Sequence, residues 1–548
     1  MTTTPQEASD VGAKGLKSGA LGLLSSVVIG VSSTAPGYAL AATLGFVVAL
    51  VGLQSPIIMI LAFIPMFFIA YAYRELNRVA PDCGTTFTWA TKAFGPKTGW
   101  MGGWGIIAAD VIVMASLAQI AGSYFFLMFG AEDLANNRFW VTLVGCLWIV
   151  VLTWVCYRGI ELSAKLQFAF LAIEIVILFI FSAVALFRVY SNNALDTSIK
   201  PTWSWFNPFA ISSFDGSQST IAAFSGALLL AVFIYWGWDS AVSVNEETKD
   251  PTSTPGRAAV MSTLILLGTY SIVTVATMSF AGLEAINGSD DVFSSVGSQV
   301  LGANFDKFLI FAILTSAAAS TQTTILPTSR VALSMAAYEA LPPKFAQTHK
   351  RYLTPTVATV AMGGVSIVFY VLLASISDNI LGDAALSVGL LIAFYYGLTG
   401  FAAAWYFKND RGTTIKDALV RVVLPFLGGV ILLAAFVETL ISNFNPDNSE
   451  TTLTVLGVTM GGIFVISVGS LLLGVILMFV TQWRSPHFFT GETLNRDTEI
   501  VVLEGNRRDL LAPAMPDAPS MEQTVVPPMS VAELEKDEEE AREERDTL

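Results

Sequence analysis

Residues 23–38 read Leu-Leu-Ser-Ser-Val-Val-Ile-Gly-Val-Ser-Ser-Thr-Ala-Pro-Gly-Tyr, an apolar stretch interrupted by hydroxyl side chains, proline and glycine. Proline removes a backbone donor, and serine and threonine offer the backbone alternative hydrogen bonds, so this composition disfavours a continuous helix. Within a bilayer, unwound backbone is tolerated only where it lines a cavity inside the protein. The stretch therefore predicts a membrane helix that is broken at a binding site, with a simple proline kink as the alternative.

A second irregular stretch lies at residues 233–240, which read Phe-Ile-Tyr-Trp-Gly-Trp-Asp-Ser. Aromatic side chains, a lone glycine and a carboxylate interrupt a helix that is otherwise rich in leucine, alanine and valine. Broken helices at corresponding places in two halves of a membrane protein are the best sequence indication of a transporter binding site. The pair of stretches therefore favours a transporter over a receptor or a membrane enzyme.

The composition of the 548-residue chain is that of a membrane protein, with 54% hydrophobic and only 13% charged residues. An ordinary globular chain is about 25% charged. A soluble multidomain enzyme, a fibrous protein and a mainly disordered chain are therefore excluded. The sequence also lacks a phosphate-binding loop of the GxxxxGK[ST] type and any His and Cys pair at metal-ligand spacing. We therefore expect no enzymatic activity, no catalytic residue, no cofactor, no metal ion and no nucleic-acid partner.

Apolar windows long enough to cross the hydrocarbon core, about 20 residues each, occur twelve times. They lie at 20–50, 55–73, 100–130, 139–157, 162–188, 219–244, 258–283, 305–338, 355–374, 384–407, 420–442 and 453–483. The expected fold class is thus an all-α membrane protein with twelve transmembrane helices, embedded in the lipid bilayer.

Lysine and arginine in the short loops predict the orientation of these spans, because such residues accumulate on the cytoplasmic side. With a cytoplasmic N-terminus, the inner loops hold seventeen of them and the outer loops hold four, Arg138, Arg188, Lys200 and Lys307. The sequence therefore predicts a multi-pass protein of the plasma membrane whose two termini both face the cytoplasm. Residues 1–19 are expected to form a cytoplasmic N-terminal segment.

The C-terminal region, 485–548, contains several prolines and carries 16 Asp and Glu against 6 Lys and Arg. Its few apolar residues cannot build a core, so the sequence predicts an acidic, disordered cytoplasmic tail. Much of the chain's net charge of −14 belongs to this tail. A regulatory partner site in the tail is the alternative.

Four short motifs carry a family resemblance. Residues 237–241 read Gly-Trp-Asp-Ser-Ala, 245–251 read Asn-Glu-Glu-Thr-Lys-Asp-Pro, 329–330 read Ser-Arg and 341–345 read Leu-Pro-Pro-Lys-Phe. In this order, over about 20–483, the chain resembles the amino acid–polyamine–organocation transporters. The resemblance implies a LeuT-like five-plus-five inverted repeat, with the first repeat at 20–188 and the second at 219–407. Two further spans, at 420–483, lie outside the repeat.

The resemblance also implies where the substrate binds. In this family, amides freed by the break in the first span hold the substrate carboxylate, and carbonyls freed in the sixth span receive its ammonium group. The usual Gly-Ser-Gly of the first span is replaced here by Ser32-Ser33-Thr34. Phe233 is similar to the aromatic gate, and Trp236 to a pocket wall. The expected substrate-binding set is Ser32, Ser33, Thr34, Asp110, Phe233, Trp236, Gly237, Trp238 and Asp239.

Three carboxylates, Asp110, Glu174 and Asp239, lie well inside predicted spans. A charge at this depth costs about 2.5–3.5 kcal/mol even on the most lenient scale, so such residues are retained for function or for a structural pairing. Asp110 and Asp239 around one pocket favour a cationic or ammonium-bearing substrate. The stretch around Asp110 is also similar to that of putrescine importers.

Glu174 matches the place where several sodium-independent relatives carry a lysine that substitutes for a sodium ion. A buried glutamate can bind and release a proton, so we expect Glu174 to couple proton movement to transport. Sodium is the less favoured coupling ion, with Ser316, Ser320 and Thr321 as hydroxyl ligands.

The sequence thus predicts a secondary active transporter that moves amino acids or related amines by alternating access with proton coupling. One alternative is a polyamine importer. An alternative of another class is a nutrient sensor that keeps the transporter fold and signals through its tail.

Overall fold

The computed structural model describes residues 12–216, 219–289, 291–302, 306–376, 378–455 and 457–499. Within these ranges, ten helical stretches are long and apolar enough to cross a membrane. The chain is therefore a multi-pass, mainly helical membrane protein, and the expected class is confirmed at this level.

The first half of the described chain is helical, with short irregular connections. Its helices are α1 (Leu23–Ser33), α2 (Pro36–Val51), α3 (Ser55–Val79), α4 (Thr86–Phe94), α5 (Pro96–Met128), α6 (Glu132–Ala135), α7 (Arg138–Arg158) and α8 (Ile160–Tyr190). Three 3-10 turns, Gly52–Gln54, Trp203–Phe206 and Pro208–Ala210, lie between or after them.

The second half repeats this pattern of long helices with one early interruption. Its helices are α9 (Thr220–Ile234), α10 (Ser240–Ser243), α11 (Thr254–Ala281), α12 (Val292–Leu301), α13 (Asp306–Ala337), α14 (Thr356–Ile376), α15 (Asp378–Tyr406), α16 (Ile415–Ala418), α17 (Leu424–Ser442), α18 (Gly462–Arg484) and α19 (Pro486–Thr490). Shorter turns are Asn245–Glu247, Pro343–Ala346, Pro446–Asn448 and the π-helical turn Leu419–Val423.

The last predicted window is wrong at its start. Residues expected to begin a span at 453 instead form an antiparallel hairpin of β1 (Thr452–Val455) and β2 (Val458–Gly461). Threonine and valine favour extended backbone, and Gly457 takes the positive φ of 84° that the turn requires. The helix α18 therefore begins only at Gly462.

The helix α13 occupies the centre of the bundle and packs against α1, α5 and α8. Its residues 316–320 read Ser-Ala-Ala-Ala-Ser, and such small side chains allow helices in lipid to approach closely. Gly103 of α5 contributes in the same way, because a Cβ there would lie only 2.8 Å from the sulfur of Met335 in α13. These contacts place polar groups of α13 beside the breaks in the other helices.

The beginning of the predicted tail is folded against the membrane body, so its expected boundary at 485 is wrong. Phe488 and Leu494 are completely buried, and the Phe488 ring stacks on Phe87 at 5.4 Å. The Thr493 hydroxyl donates a hydrogen bond to the Tyr338 carbonyl oxygen at 2.6 Å. The prediction was wrong here because the composition of 485–548 as a whole is acidic, although its first residues include a few apolar ones. The rest of the predicted tail, residues 500–548, lies outside the described ranges.

Candidate binding site

The first break separates α1 from α2 at Thr34 and Ala35. Ala35 adopts a left-handed conformation with φ 45°, which turns the chain out of the helix. Pro36 then opens α2, where its missing N–H is no loss because the first amides of a helix have no intrahelical acceptor. The predicted interruption of this span is therefore present, and it creates a fresh helix N-terminus inside the protein.

Glu174 of α8 lies at this new N-terminus. Its Oε1 atom accepts hydrogen bonds from the Gly37 amide at 2.6 Å and from the Ser316 hydroxyl at 2.8 Å. The Tyr38 amide in turn donates to the Ser316 hydroxyl at 3.3 Å. Amides at a helix N-terminus and the helix dipole both attract an anion. Glu174 is completely buried and connects three helices, α2, α8 and α13.

The second break occupies residues 235–239, between α9 and α10. Gly237 has φ 118°, and a Cβ at this position would lie 2.7 Å from the Ser33 carbonyl oxygen, so only glycine fits. The Ser33 and Ser240 hydroxyls are hydrogen-bonded at 2.8 Å. The two broken segments therefore touch each other in the middle of the bundle.

A small cavity lies where the two breaks meet. Its volume is about 10 Å³, which is room for about one water molecule. The lining residues are Ser33, Ile106, Asp110, Trp236, Gly237, Asp239, Ser240, Thr324, Pro327 and Tyr395. The structure therefore represents a closed state, and the site must widen to admit a larger molecule.

Two carboxylates face this cavity, and both have polar neighbours. Asp239 accepts hydrogen bonds from the Tyr396 hydroxyl at 2.7 Å and the Tyr395 hydroxyl at 3.4 Å. Asp110 accepts one from the Thr328 hydroxyl. The ion pairs found among the described residues include neither carboxylate. Each therefore retains acceptor capacity for a cationic group that enters the cavity.

The structure brings together only part of the expected binding set. Ser33, Asp110, Trp236, Gly237 and Asp239 all line the cavity. The Trp236 indole N–H donates to the Tyr395 hydroxyl, which fixes the ring as a wall of the cavity. For these five residues, the expected placement around one pocket agrees with the structure.

Four expected residues lie outside the cavity lining. The Thr34 hydroxyl donates to the Val31 carbonyl oxygen at 2.8 Å, and the buried Ser32 hydroxyl has no partner among the described residues. Phe233 is buried in the last turn of α9. Trp238 is completely buried between aromatic rings, with Tyr73 at 5.2 Å and Tyr396 at 5.1 Å. These four residues shape the walls behind the site.

The cavity is also lined by five residues that were not predicted from the sequence: Ile106, Ser240, Thr324, Pro327 and Tyr395. One available signal was the Tyr395-Tyr396 pair, which places two hydroxyls in the apolar stretch 384–407. Another was Pro327 inside α13, since proline within a helix frees a carbonyl oxygen.

A separate polar cluster surrounds Lys14, outside the membrane-spanning helices. The Lys14 ammonium lies 2.8 Å from an Asp82 oxygen and 2.6 Å from a Glu246 oxygen, beside the Cys83 thiol. Burial alone would raise the pKa of the Asp82 carboxyl, but the Lys14 charge and several donors lower it to about 2. The Asp82, Cys83 and Glu246 side chains have the spacing of metal ligands. The Lys14 ammonium contacts all three, so it occupies the position that a metal ion would take.

Comparison with known proteins agrees with these features. The sequence model of a family described as amino acid permease matches residues 21–482. The chain is 24% identical to the low-affinity putrescine importer PlaP of Escherichia coli K12, over 72% of this chain and 83% of that protein. It is 23% identical to the vacuolar cationic amino acid transporter 2 of Arabidopsis thaliana, over 59% of this chain and 50% of that protein. It is 24% identical to the branched-chain amino acid permease BcaP of Lactococcus lactis, over 40% of this chain and 48% of that protein.

Proposed function

Since this chain belongs to the amino acid permease family, we propose that it moves an amino acid or a related amine across the plasma membrane by alternating access, coupled to protons. The observation that carries the proposal is the cavity at the meeting point of two broken helices. Two buried carboxylates face that cavity, and an ammonium group is the complementary ligand. The relatives named above include importers and permeases for amine-bearing molecules.

The proposed architecture has twelve spans. The long stretch Leu23–Val79 contains two of them, α1 with α2 and then α3. The shorter helix α9 is the outer part of a further span that continues through the break into α10. With these two additions, the ten long stretches become twelve spans.

An inverted repeat accounts for how these spans pack. If spans one to five correspond to spans six to ten, α3 corresponds to α11, α5 to α13 and α7 to α14. Each of these pairs is in direct contact, and the two broken spans also meet at Ser33 and Gly237. Contact between equivalent helices is what a pseudo-two-fold axis through the bundle produces. This packing supports repeats at 20–188 and 219–407, with 420–483 outside them.

The proposed orientation places both termini in the cytoplasm. Lys14 of the N-terminal segment contacts Asp82, and the C-terminal Thr493 contacts Tyr338, which also donates to Asp82 at 2.8 Å. The two ends of the described chain therefore lie at one face of the bundle. The loops at this face carry most of the lysine and arginine, as the cytoplasmic side does.

Glu174 is the proposed coupling residue. In the closed state, its ionised form is stabilised by the Gly37 amide and the Ser316 hydroxyl at the start of α2. Hydrogen bonds to a charged group contribute about 1.5–3 kcal/mol, and they are lost if α2 moves away from α8. A buried carboxylate without donors takes up a proton instead. The conformational change and the protonation of Glu174 would then drive each other.

Sodium coupling is the rival mechanism. The three hydroxyls that would serve as sodium ligands are already used as donors in the closed state. Ser316 donates to Glu174, Ser320 to the Ser33 carbonyl oxygen at 3.1 Å, and Thr321 to the Ala317 carbonyl oxygen at 2.7 Å. A donating hydroxyl keeps oxygen lone pairs that can bind sodium, so these hydrogen bonds do not decide against the ion. The proton is the proposed coupling ion because the buried Glu174 carboxylate is itself titratable.

The Glu174→Gln variant tests this proposal in liposomes that contain the purified protein. Glutamine keeps the shape and the acceptor oxygen but carries no titratable proton. We expect counterflow exchange of labelled substrate to persist, while accumulation driven by a pH gradient is lost. Exchange persists because the cavity itself is unchanged.

Glu161→Gln is the matched control, because Glu161 lies on the same helix but is exposed and pairs with Lys17. It should accumulate substrate as the unmodified protein does. A Glu174→Gln protein that still concentrates substrate with unchanged pH dependence would exclude Glu174 as the coupling residue. Uptake that follows sodium at constant pH would favour the sodium mechanism.

A further inference from the structure

The proposed function leaves two substrate classes open, amino acids and amines that lack a carboxylate. They differ in one requirement, because an amino acid carboxylate needs hydrogen-bond donors or a cation inside the protein. In broken membrane helices, such donors are the amides at the start of the second half-helix. The amides around the first break therefore decide between the two classes.

From Thr34 to Tyr38, every backbone N–H donates to a defined acceptor, and Pro36 has no N–H. The amides of Thr34 and Ala35 donate to carbonyl oxygens of α1, at 3.2 Å and 3.1 Å. The amides of Gly37 and Tyr38 donate to Glu174 and Ser316. The closed state thus offers no donor from this segment to a second carboxylate.

The cavity supplies no cation for a carboxylate, and its hydroxyl donors are already used. The Ser240 and Thr324 hydroxyls donate to the carbonyl oxygens of Thr323 and Ser320, at 3.2 Å and 2.8 Å. The described lining of the cavity contains Asp110 and Asp239 but no lysine, arginine or histidine. A bound carboxylate would lie close to two further carboxyl groups, which repel it when they are ionised, in a site from which water is nearly excluded. An ammonium group is favoured in the same cavity, because the two carboxylates attract a cation and the aromatic Trp236 lines the cavity beside them.

We propose that Glu174 takes the place of the substrate carboxylate at the start of α2, and that the substrate is an alkyl amine or diamine without a carboxylate. This assignment rests on the proposed function and makes it more specific. The protein's own carboxylate saturates the helix N-terminus in advance, so the site is selective for amines. Pro36 reinforces the selection in every conformation, since no movement of the chain gives it an N–H.

Matched pairs of an amino acid and the amine formed from it by loss of the carboxylate test this assignment. Ornithine with putrescine and lysine with cadaverine are such pairs. Each compound is titrated against the purified full-length protein in detergent, with calorimetry and thermal unfolding as readouts. We expect the amine of each pair to bind about tenfold to a hundredfold more tightly, because its competitor leaves a carboxylate without donors.

A second arm compares butylamine with putrescine, which has the same four-carbon chain and one more amino group. Preference for the diamine would show that both cavity carboxylates receive an ammonium group, and equal binding would assign a single ammonium site. Either result supports an amine substrate, provided that the amines bind more tightly than the amino acids.

The Glu174→Gln variant gives an independent readout. Loss of the negative charge at the start of α2 should reduce the amine-to-amino-acid binding ratio, and Glu161→Gln should leave it unchanged. If the variant does not fold, the ratio measured on the unmodified protein decides alone. Equal or tighter binding of the amino acids would overturn the inference and leave the proposed permease function intact. Absence of binding and of transport for all of these compounds would overturn both.

Discussion

Replacing Lys14 by methionine should destabilise the closed state at the face of the bundle that carries Lys14, the inner face in the proposed orientation. The Lys14 side chain is completely buried between Asp82, also completely buried, and Glu246, which is 8% exposed. Methionine has a similar length but no charge, so it fills the space and leaves two buried carboxylates without their cation. The perturbation therefore removes an electrostatic interaction with little change in packing.

The magnitude follows from the surroundings of Asp82. Breaking a buried ion pair by removing one partner costs about 3–5 kcal/mol. Asp82 keeps four other donors, the Gly84 amide and the hydroxyls of Thr88, Ser334 and Tyr338. We therefore expect the lower end, about 3 kcal/mol, which corresponds to roughly a hundredfold shift toward the open inner face.

Cys83 is a built-in probe of this opening, because its thiol is completely buried and lies 3.9 Å from the Lys14 ammonium. The assay measures the rate of maleimide labelling in a protein with Cys146→Ser and Cys156→Ser. Lys14→Met should label up to about a hundred times faster and unfold at a lower temperature. The matched control is Lys17→Met, whose exposed pair with Glu161 is worth only about 0–1 kcal/mol.

In the unmodified protein, the stability that comes from Asp82 ionisation should not depend on pH in the neutral range. The pKa of Asp82 is about 2 in the folded protein, below its ordinary value, so the pair contributes its stability above the unfolded pKa. That stability is lost only as the pH falls through about 2. The unmodified protein should thus gain the same stability from Asp82 ionisation at about pH 5.5 and at about pH 7.5. In Lys14→Met, burial without the cation raises the pKa of Asp82, so the destabilisation should become smaller toward the lower pH. Labelling and unfolding of Lys14→Met at unmodified rates and temperatures would refute the reasoning.

The remaining predictions concern the cavity, the second break and the C-terminal segment. Asp110→Asn should abolish uptake into liposomes without lowering the unfolding temperature, and unchanged apparent affinity in this variant would make Asp110 a structural residue. Trp236→Ala should abolish uptake and also lower the unfolding temperature, because Trp236 is buried and its loss leaves a cavity. Gly237→Ala should lower the free energy of unfolding by about 1–3 kcal/mol, since its Cβ meets the Ser33 carbonyl oxygen, whereas Gly268→Ala, with open space around it, should not. Truncation after residue 499 should preserve thermal stability and transport. Truncation after residue 484 should lower the unfolding temperature, because it removes the buried Phe488 and Leu494. Equal stability of the two truncated proteins would contradict a stabilising role for these two side chains.

Much of the fold could be predicted from the sequence because its determinants are local. Apolar windows and the run around Pro36 each act over a few residues, and the structure contains helices or a break at those places. The hairpin before α18 was missed, because Val and Thr are apolar enough to pass for a span yet favour extended backbone.

The site was less predictable because it depends on the direction in which each side chain points and on contacts between residues that are far apart in the sequence. Trp236 and Trp238 are two residues apart, but only Trp236 lines the cavity, since the unusual conformation of Gly237 between them redirects the chain. The depth of Glu174 could be read from the sequence. Its partners could not, because Gly37 and Ser316 are more than a hundred positions away along the chain. The sequence therefore indicates that a carboxylate is buried, and only the fold shows which helix end it faces.

The hydrogen bonds near the inner face indicate which parts would move together. The Leu21 amide donates to the Glu247 carbonyl oxygen and the Lys249 amide to the Leu21 carbonyl oxygen, both at 2.9 Å, so the chain before α1 is tied to the chain after α10. Two buried ion pairs connect this unit to the rest of the bundle, Lys14 with Asp82 and Glu247 with Arg330 at 3.0 Å. Opening the inner face by moving α1 and α10 together would break both pairs. It would also pull Ser33 and Ser240 away from their bonds to carbonyl and hydroxyl groups of α13, which widens the cavity. Such a movement would therefore change the ion pairs at the inner face and the volume of the binding site together.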